Sequence, residues 1–177
     1  MVGKPYVVVS GPPASGKSTV APALAQGLGL PLLAKDTIKD AMMCRLPVPD
    51  LEASRQLGRA AVAVMLAVAA DSPVGAVLES NFFRSKAAAD LAALPGRVVE
   101  VFCRCDRDVA AARYAARAGT RAAGHFDGQR RPEELWNDEV AEPVAGVWPV
   151  IEVRTDRPVD LDALLVAVRA AMVGSPT

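Results

Sequence analysis

The sequence predicts an α/β domain of three layers, a mainly parallel five-stranded sheet with helices on both faces. Three observations carry this expectation. Short apolar, β-branched runs alternate with Ala-rich stretches of ten or more residues, the pattern of strands joined by right-handed helical crossovers. The strand segments are nearly continuous in hydrophobicity, as expected where helices cover both faces of a sheet. A chain of 177 residues, 51% of them hydrophobic, suffices for one core, so residues 1–177 are expected to form a single domain.

The elements are taken in chain order. Tyr6–Ser10 reads as the first strand and leads into a glycine loop. Lys17–Leu28 reads as a helix that stops near Gly29 and Pro31. Leu32–Ala34 is a short strand, and Asp36–Arg45 a helix with Asp36 near its cap. Pro47 and Pro49 break the chain before the longer helix Leu51–Ala70. Gly75–Glu79 is a strand, Arg84–Leu94 a helix ended by Pro95-Gly96, and Arg97–Cys103 the next strand. Asp108–Ala118 is an Arg-bearing helix that runs into a glycine-punctuated loop. Pro132–Ala145 reads as helical with an interruption at Pro143, Val150–Arg154 as the last strand and Leu161–Met172 as the closing helix.

Charge and cysteine usage bound the function. Lys plus Arg equals Asp plus Glu at 20 each, and that balance argues against a large nucleic-acid or membrane surface. Cys44, Cys103 and Cys105 form no disulfide framework, which favours free thiols in a reducing compartment. The apolar run Val7–Val9 is too short for a secretion signal, and Ala60–Ala70 is too short to span a bilayer. A cytoplasmic protein is expected.

The strongest chemical signal is Gly11-Pro12-Pro13-Ala14-Ser15-Gly16-Lys17-Ser18, which matches G-x-x-x-x-G-K-[ST] at every fixed position. Glycines let such a loop wrap so that successive backbone N–H groups point inward at phosphate oxygens. The helix that starts at Lys17 adds the positive end of its dipole. Gly11, Ala14, Ser15, Gly16, Lys17, Ser18 and Thr19 are therefore the expected nucleotide contacts, with Lys17 reaching the β- and γ-phosphates and Ser18 ligating magnesium.

Three nucleotide-dependent classes fit such a loop. A regulatory GTPase is disfavoured because no N-K-x-D signature occurs and no D-x-x-G succeeds a strand. A motor ATPase or nucleic-acid-directed kinase sits poorly with a short, charge-neutral chain. A small-molecule kinase needs an acid for the acceptor hydroxyl, cations for the phosphoryl charge and a lid against water. Asp36 comes after the second apolar run, where the strand end faces the γ-phosphate, although Asp is also a common helix cap. Arg113, Arg117 and Arg121 recur every four residues on one helix face. No acid lies between Asp108 and Asp127, and Gly119, Gly124 and Gly128 punctuate the loop beyond that helix. Residues of about 107–131 therefore read as a phosphate-clamping lid. Glu79, Asn81 and Arg84 cluster past the third strand, with Glu79 read as a magnesium contact through water or a substrate ligand, Asn81 as a substrate ligand or a helix cap, and Arg84 as a substrate ligand or a surface charge. His125, the one histidine, reads as a loop residue more readily than as a ligand.

The phosphate loop, Lys-Asp-Thr-Ile-Lys at 35–39, Glu-Ser-Asn-Phe-Phe-Arg at 79–84 and the arginine series ending in Gly124-His125 together resemble the P-loop small kinases of the zeta-toxin, chloramphenicol phosphotransferase and polynucleotide 5′-kinase group. That resemblance implies a three-layer αβα P-loop kinase fold with sheet order 2-3-1-4-5 and a helical lid, using ATP and Mg2+. It implies that Asp36 acts on the acceptor hydroxyl, that Lys39 stands where the group commonly has Arg, and that Arg113, Arg117 and Arg121 serve the lid. It places the adenine site loosely at Thr155-Asp156-Arg157-Pro158, with Arg157 as a nucleotide contact. The expected partner is a small hydroxyl-bearing acceptor, with an antibiotic, sugar, nucleoside or nucleotide all fitting. A toxin-type or polynucleotide kinase and a non-catalytic ATP sensor are the alternatives.

Overall fold

The computed structural model describes residues 3–117 and 123–173. Five strands pair in parallel in the order β2-β3-β1-β4-β5: β1 (Lys4–Ser10), β2 (Leu32–Ala34), β3 (Ala76–Glu79), β4 (Gly96–Arg104) and β5 (Val150–Arg154). The crossovers carry α1 (Lys17–Leu28), α2 (Lys35–Met43), α3 (Leu51–Asp71), α4 (Arg84–Ala92) and α5 (Arg107–Arg117). Two single-turn helices, α6 (Pro132–Leu135) and α7 (Asp138–Ala141), precede β5, and α8 (Leu161–Val173) comes after it.

The central strand explains the layering. Tyr6, Val7, Val8 and Val9 are fully buried, and a strand sends successive side chains to opposite faces. Tyr6 and Val8 pack with Met65 and Ala69 of α3, Leu91 of α4 and Leu78. Val7 and Val9 pack with Val20 and Leu24 of α1 and Val168 of α8. Neither face of β1 meets water, so the continuous Val run costs nothing in exposed apolar surface. Parallel strands place their carboxyl ends on one edge, and the loops that leave Ser10, Ala34, Glu79, Arg104 and Arg154 gather there.

The structure shifts several expected elements. The helix after β2 begins at Lys35 with Ala34 at its cap position, so Asp36 stands inside the first turn and is not the cap. The stretch 132–145 is interrupted at Trp136-Asn137 instead of Pro143, because the Asn137 side chain accepts from Glu139 N and starts a new turn. From Glu142 the chain is extended. Among the described residues, no helix is long and apolar enough to cross a membrane.

Glu100 is a carboxylate in the middle of buried β4, opposite Val8, and it is fully buried. The Ser10 hydroxyl donates to its Oε1 at 2.6 Å, as does Val144 N at 2.8 Å. Ala145 N and the Trp148 indole donate to Oε2 at 2.9 and 3.2 Å. Four donors replace the water this charge has lost. One carboxylate thus ties the end of β1, just before the phosphate loop, to the strap that leads into β5. Glu100→Ala would strand all four donors in the interior. Urea unfolding should show a loss of about 3–5 kcal/mol, the scale for breaking a buried charged network by removing one partner; a loss under about 1 kcal/mol would show that the strap does not depend on it.

Candidate active site

The turn after β1 cannot be built from ordinary residues. Gly11 has φ 135° and Gly16 φ 86°, both in the region L side chains avoid. A Cβ on Gly11 would come 2.7 Å from the Cys103 carbonyl and 2.8 Å from Ser15 Oγ. The loop is pinned from the residue after β5, where the buried Thr155 hydroxyl lies 2.6 Å from the Ser15 carbonyl oxygen and 3.1 Å from that of Arg104. Thr19 N and Val20 N return to Gly16 O and start α1. Among the described residues, the buried Ser15 hydroxyl has no hydrogen-bond partner.

Lys17 is the electrostatic centre of the loop. Its side chain is only 5% exposed, and its Nζ donates to the carbonyl oxygens of Gly11 at 2.9 Å and Pro12 at 2.6 Å. Burial lowers its pKa to about 8, opposed by the fields of Glu79 and, more weakly, Cys103 and Asp36. Burial also raises the Glu79 carboxyl above its usual range, with the Lys17 charge opposing it. The Cys103 thiol, buried beneath the loop, is pushed up to about 12.

Two cavities meet at the loop. The larger, of about 880 Å³, is lined by Ala14, Ser15, Gly16, Lys17 and Ser18, by Asp36 and Lys39 of α2, by Glu79 and Asn81, and by Arg117. The smaller, of about 530 Å³, is lined by Ala14, Gly16, Ser18, Thr19, Arg113, Arg117 and Arg157 with Thr155 and Pro158. Ser18 and Arg117 border both. The Asp36 carboxylate accepts from Lys35 Nζ at 2.8 Å. Arg113 Nη1 donates to the Thr155 carbonyl at 3.0 Å, so α5 is fastened to the loop after β5.

Arg84 is placed elsewhere. It is the exposed first residue of α4 and lines neither cavity, whereas Lys86 lines the larger one. The helix cap is Phe83, so Asn81 is not spent on capping. Arg121 lies outside the described residues.

Several site residues carry no local signature. Lys39 is 1% exposed, and its Nζ donates to Ser54 Oγ of α3 at 2.7 Å; Ser54 in turn donates to the Gly124 carbonyl at 2.7 Å. His125 Nε2 lies 2.5 Å from Asp40 Oδ1, and Tyr114 donates to Asp127 at 2.9 Å. These contacts fix the segment 124–127 against α2, α3 and α5. His125, expected as an ordinary loop residue, is therefore a buried contact of that segment. The Glu139 carboxylate reaches across from α7 to accept from Ser85 N and Oγ.

Known proteins share this fold. A family model for the AAA domain matches residues 7–142. The chain belongs to the AAA domain family. A candidate kinase from Chloroflexus aurantiacus J-10-fl superposes with a TM-score of 0.84 at 30% identity, over 96% of this chain and 98% of that one. A gluconokinase from Sinorhizobium meliloti 1021 superposes at 0.62 and 21% identity, over 97% and 93% of the two chains. A shikimate kinase from Acinetobacter baumannii in complex with shikimate does so at 0.62 and 19%, over 98% and 94%. A search of curated proteins found no match. This AAA domain therefore has the P-loop kinase fold, and its sheet order is the one the resemblance implied.

The Lys17 geometry fixes a pH dependence. Lys17 titrates near 8 in the fold, below its unfolded value near 10.5. Below pH 8 both states are charged and the fold carries the whole cost of a dehydrated ammonium. Between 8 and 10.5 the unfolded chain holds more protons, so this contribution to stability rises with pH. Removing the charge in Lys17→Met removes that rise. From pH 7.5 to 9.5 the wild type should gain about 2 kcal/mol relative to the variant in denaturant unfolding, both ligand-free. Parallel pH profiles would show that burial does not depress the Lys17 ammonium.

Proposed function

We propose that this chain is an ATP- and magnesium-dependent kinase that transfers the γ-phosphoryl group to a hydroxyl of a small molecule. The observation that carries the reading is the sharing of one cavity by Lys17 and Ser18 of the phosphate loop with Asp36 of the first turn of α2 and Glu79 at the end of β3. Phosphate-binding and proton-accepting groups then face a common space, as phosphoryl transfer requires. The likeness to a candidate kinase over nearly the whole chain supports it. The 35–39 and 79–84 motifs support a place near the zeta-toxin and chloramphenicol phosphotransferase group.

The loop fits the nucleotide. Its glycines leave the space a Cβ would fill, and the unpartnered Ser15 hydroxyl offers a further polar group inside it. The smaller cavity suits the nucleoside, with Arg113 and Arg157 on its walls. Magnesium would be held by the Ser18 hydroxyl together with phosphate oxygens, with Glu79 close by, and would supply charge neutralisation at the transferring group.

The residues of the chain do the rest. The loop amides and Lys17 hold the β- and γ-phosphates. Lys17 already sits among dipoles that an anion can replace, so phosphate restores the favourable surroundings its ammonium lost on burial. Asp36 orients the acceptor hydroxyl and takes its proton while the acceptor oxygen bonds to the γ-phosphorus and the bond to the ADP bridging oxygen breaks. Arg117, on the border of both cavities, stands where charge develops during transfer. Lys39, Asn81 and Arg121 are the proposed acceptor contacts.

Purified protein with ATP, magnesium and a panel of hydroxyl-bearing acceptors should release ADP in an acceptor-dependent manner, and Lys17→Ala should abolish it. Asp36→Ala should lower kcat about 10²- to 10⁴-fold, the usual contribution of a general base, with little change in the KM for ATP. Full turnover in Asp36→Ala would remove it from the chemistry. Tight ATP binding without turnover on any acceptor would instead make the chain a nucleotide sensor.

A further inference from the structure

Consecutive residues of α2 hold consecutive residues of the segment 124–127. Lys39 Nζ donates to Ser54 Oγ at 2.7 Å, and the Ser54 hydroxyl donates to the Gly124 carbonyl at 2.7 Å. Asp40 Oδ1 lies 2.5 Å from His125 Nε2. Neighbouring positions on a helix point about 100° apart. The two ties therefore act from different directions, and they fix the orientation of the segment as well as its distance from α2.

The relay through Ser54 has a direction set by its ends. An ammonium only donates and a carbonyl only accepts, so the single hydroxyl proton goes to Gly124 and a lone pair faces Lys39. The Lys39 charge polarises that hydroxyl and strengthens its bond to Gly124. Ser54 is fully buried in α3, and its own N–H is already bonded to the Asp50 carbonyl. For the helix alone, alanine is the better residue, as at Ala53 and Ala61.

The segment is held against its own preference. Phe126 has φ 53°, a left-handed backbone that a residue other than glycine keeps where its surroundings impose it. Gly124 comes so near the end of α2 that a Cβ would stand 2.9 Å from Met43 Sδ. His125 and Asp127 of this segment line the larger cavity, and so do Asp36 and Lys39 of α2. Ser54 thus joins two walls of one space.

We propose that Ser54 is a positioning residue for the acceptor, because its hydroxyl sets the Lys39 ammonium on the cavity wall and couples it to the segment 124–127. An acceptor held by Lys39 then meets both walls in register. The proposal rests on the kinase reading and adds a residue to that site. Ser54 acts through Lys39 and Gly124, not through the reacting atoms.

The test compares Ser54→Ala, Ser54→Thr, Lys39→Met and the Lys39→Met/Ser54→Ala double variant. In the ligand-free protein, hydrogen exchange across 124–131 should be about tenfold faster in Ser54→Ala, with residues 11–28 unchanged. Gln129 N and Arg130 N, which bond to the Phe126 and Asp127 carbonyls, are protected amides of that stretch. Ser54→Thr, which keeps the hydroxyl, should stay within about threefold of the wild type. Unchanged exchange in Ser54→Ala would overturn the proposal, and so would equal acceleration across 11–28. In acceptor-dependent ADP release, on the panel member with the highest kcat/KM, Ser54→Ala should raise the acceptor KM about tenfold and leave the KM for ATP within about twofold. The double variant should be no weaker than Lys39→Met. If Ser54→Ala alone does not fold, the double variant against Lys39→Met carries both measurements, since it removes the ammonium together with its partner. Additive losses, or an equal rise in the KM for ATP, would overturn the proposal and leave the kinase reading standing. No ADP release from the wild type with any acceptor would overturn both.

Discussion

The Lys17 ammonium is the constraint to which the rest of the site answers. Withdrawn from water, it is held by the carbonyl oxygens of Gly11 and Pro12, two neutral dipoles in place of a hydration shell. Dipoles alone do not repay the removal of a charge from solvent, and the lowered pKa is the sign of that shortfall. Glu79 lies close enough to oppose the shift and is itself driven the other way by burial. The two groups are strained in opposite senses across one space. An anion of several charges between them relieves the cation, while a cation held by that anion relieves the carboxylate. A nucleotide is the kind of ligand that supplies such an anion.

Holding such a loop in place requires supports that a turn of eight residues cannot supply by itself. Thr155 braces the Ser15 carbonyl from the loop after β5, and Glu100 gathers Ser10 at the end of β1 together with the strap at Val144 and Ala145. Both supports come from the β4–β5 side of the sheet. The α2 side of the larger cavity is built differently. There, α2 is tied to the segment 124–125 through Lys39, Ser54 and Asp40, and Ser54 carries its part as one buried hydroxyl that accepts from one group and donates to the other. The phosphate loop is thus braced from one side of the sheet, and the other side of the larger cavity is laced by side chains.

Parts of this were legible in the sequence because their causes are local. Glycines at fixed offsets before Lys17-Ser18 dictate a phosphate loop wherever they come after a buried strand, and the Tyr6–Val9 run dictates that strand. Asp36 was legible as a strand-end acid, and its place inside α2 removes the competing role as cap. The parts that escaped depend on distant partners. Nothing near Glu100 announces four donors from residues 10 and 144–148, and nothing near Ser54 announces Lys39 and Gly124. Glu139 binds Ser85 from 54 residues away. Arg84 looked like a site residue because it closes a motif, but the first turn of α4 points it to solvent and brings Lys86 to the cavity instead. The break at Asn137 was missed in favour of Pro143 because proline is the louder signal, while an Asn that restarts a helix is recognised only by the bond it makes.

The fold does not choose the acceptor. The gluconokinase and the shikimate kinase share this fold under names that differ in substrate, and a fold by itself does not fix a substrate. In this chain part of the larger cavity's wall comes from α3 and α4, the Ala- and Val-rich stretches with the least motif content. Their residues look like core in the sequence because most of them are core: Met65 and Leu91 pack under the sheet, and Val62 and Leu66 are the partly buried margin of the same cluster. A hydrophobic wall facing a substrate and one facing a sheet share the same composition and differ only in which side is open. What marks the difference is the residue that helix and core both have reason to reject, and at Gly58 the helix gives up stability without gaining packing.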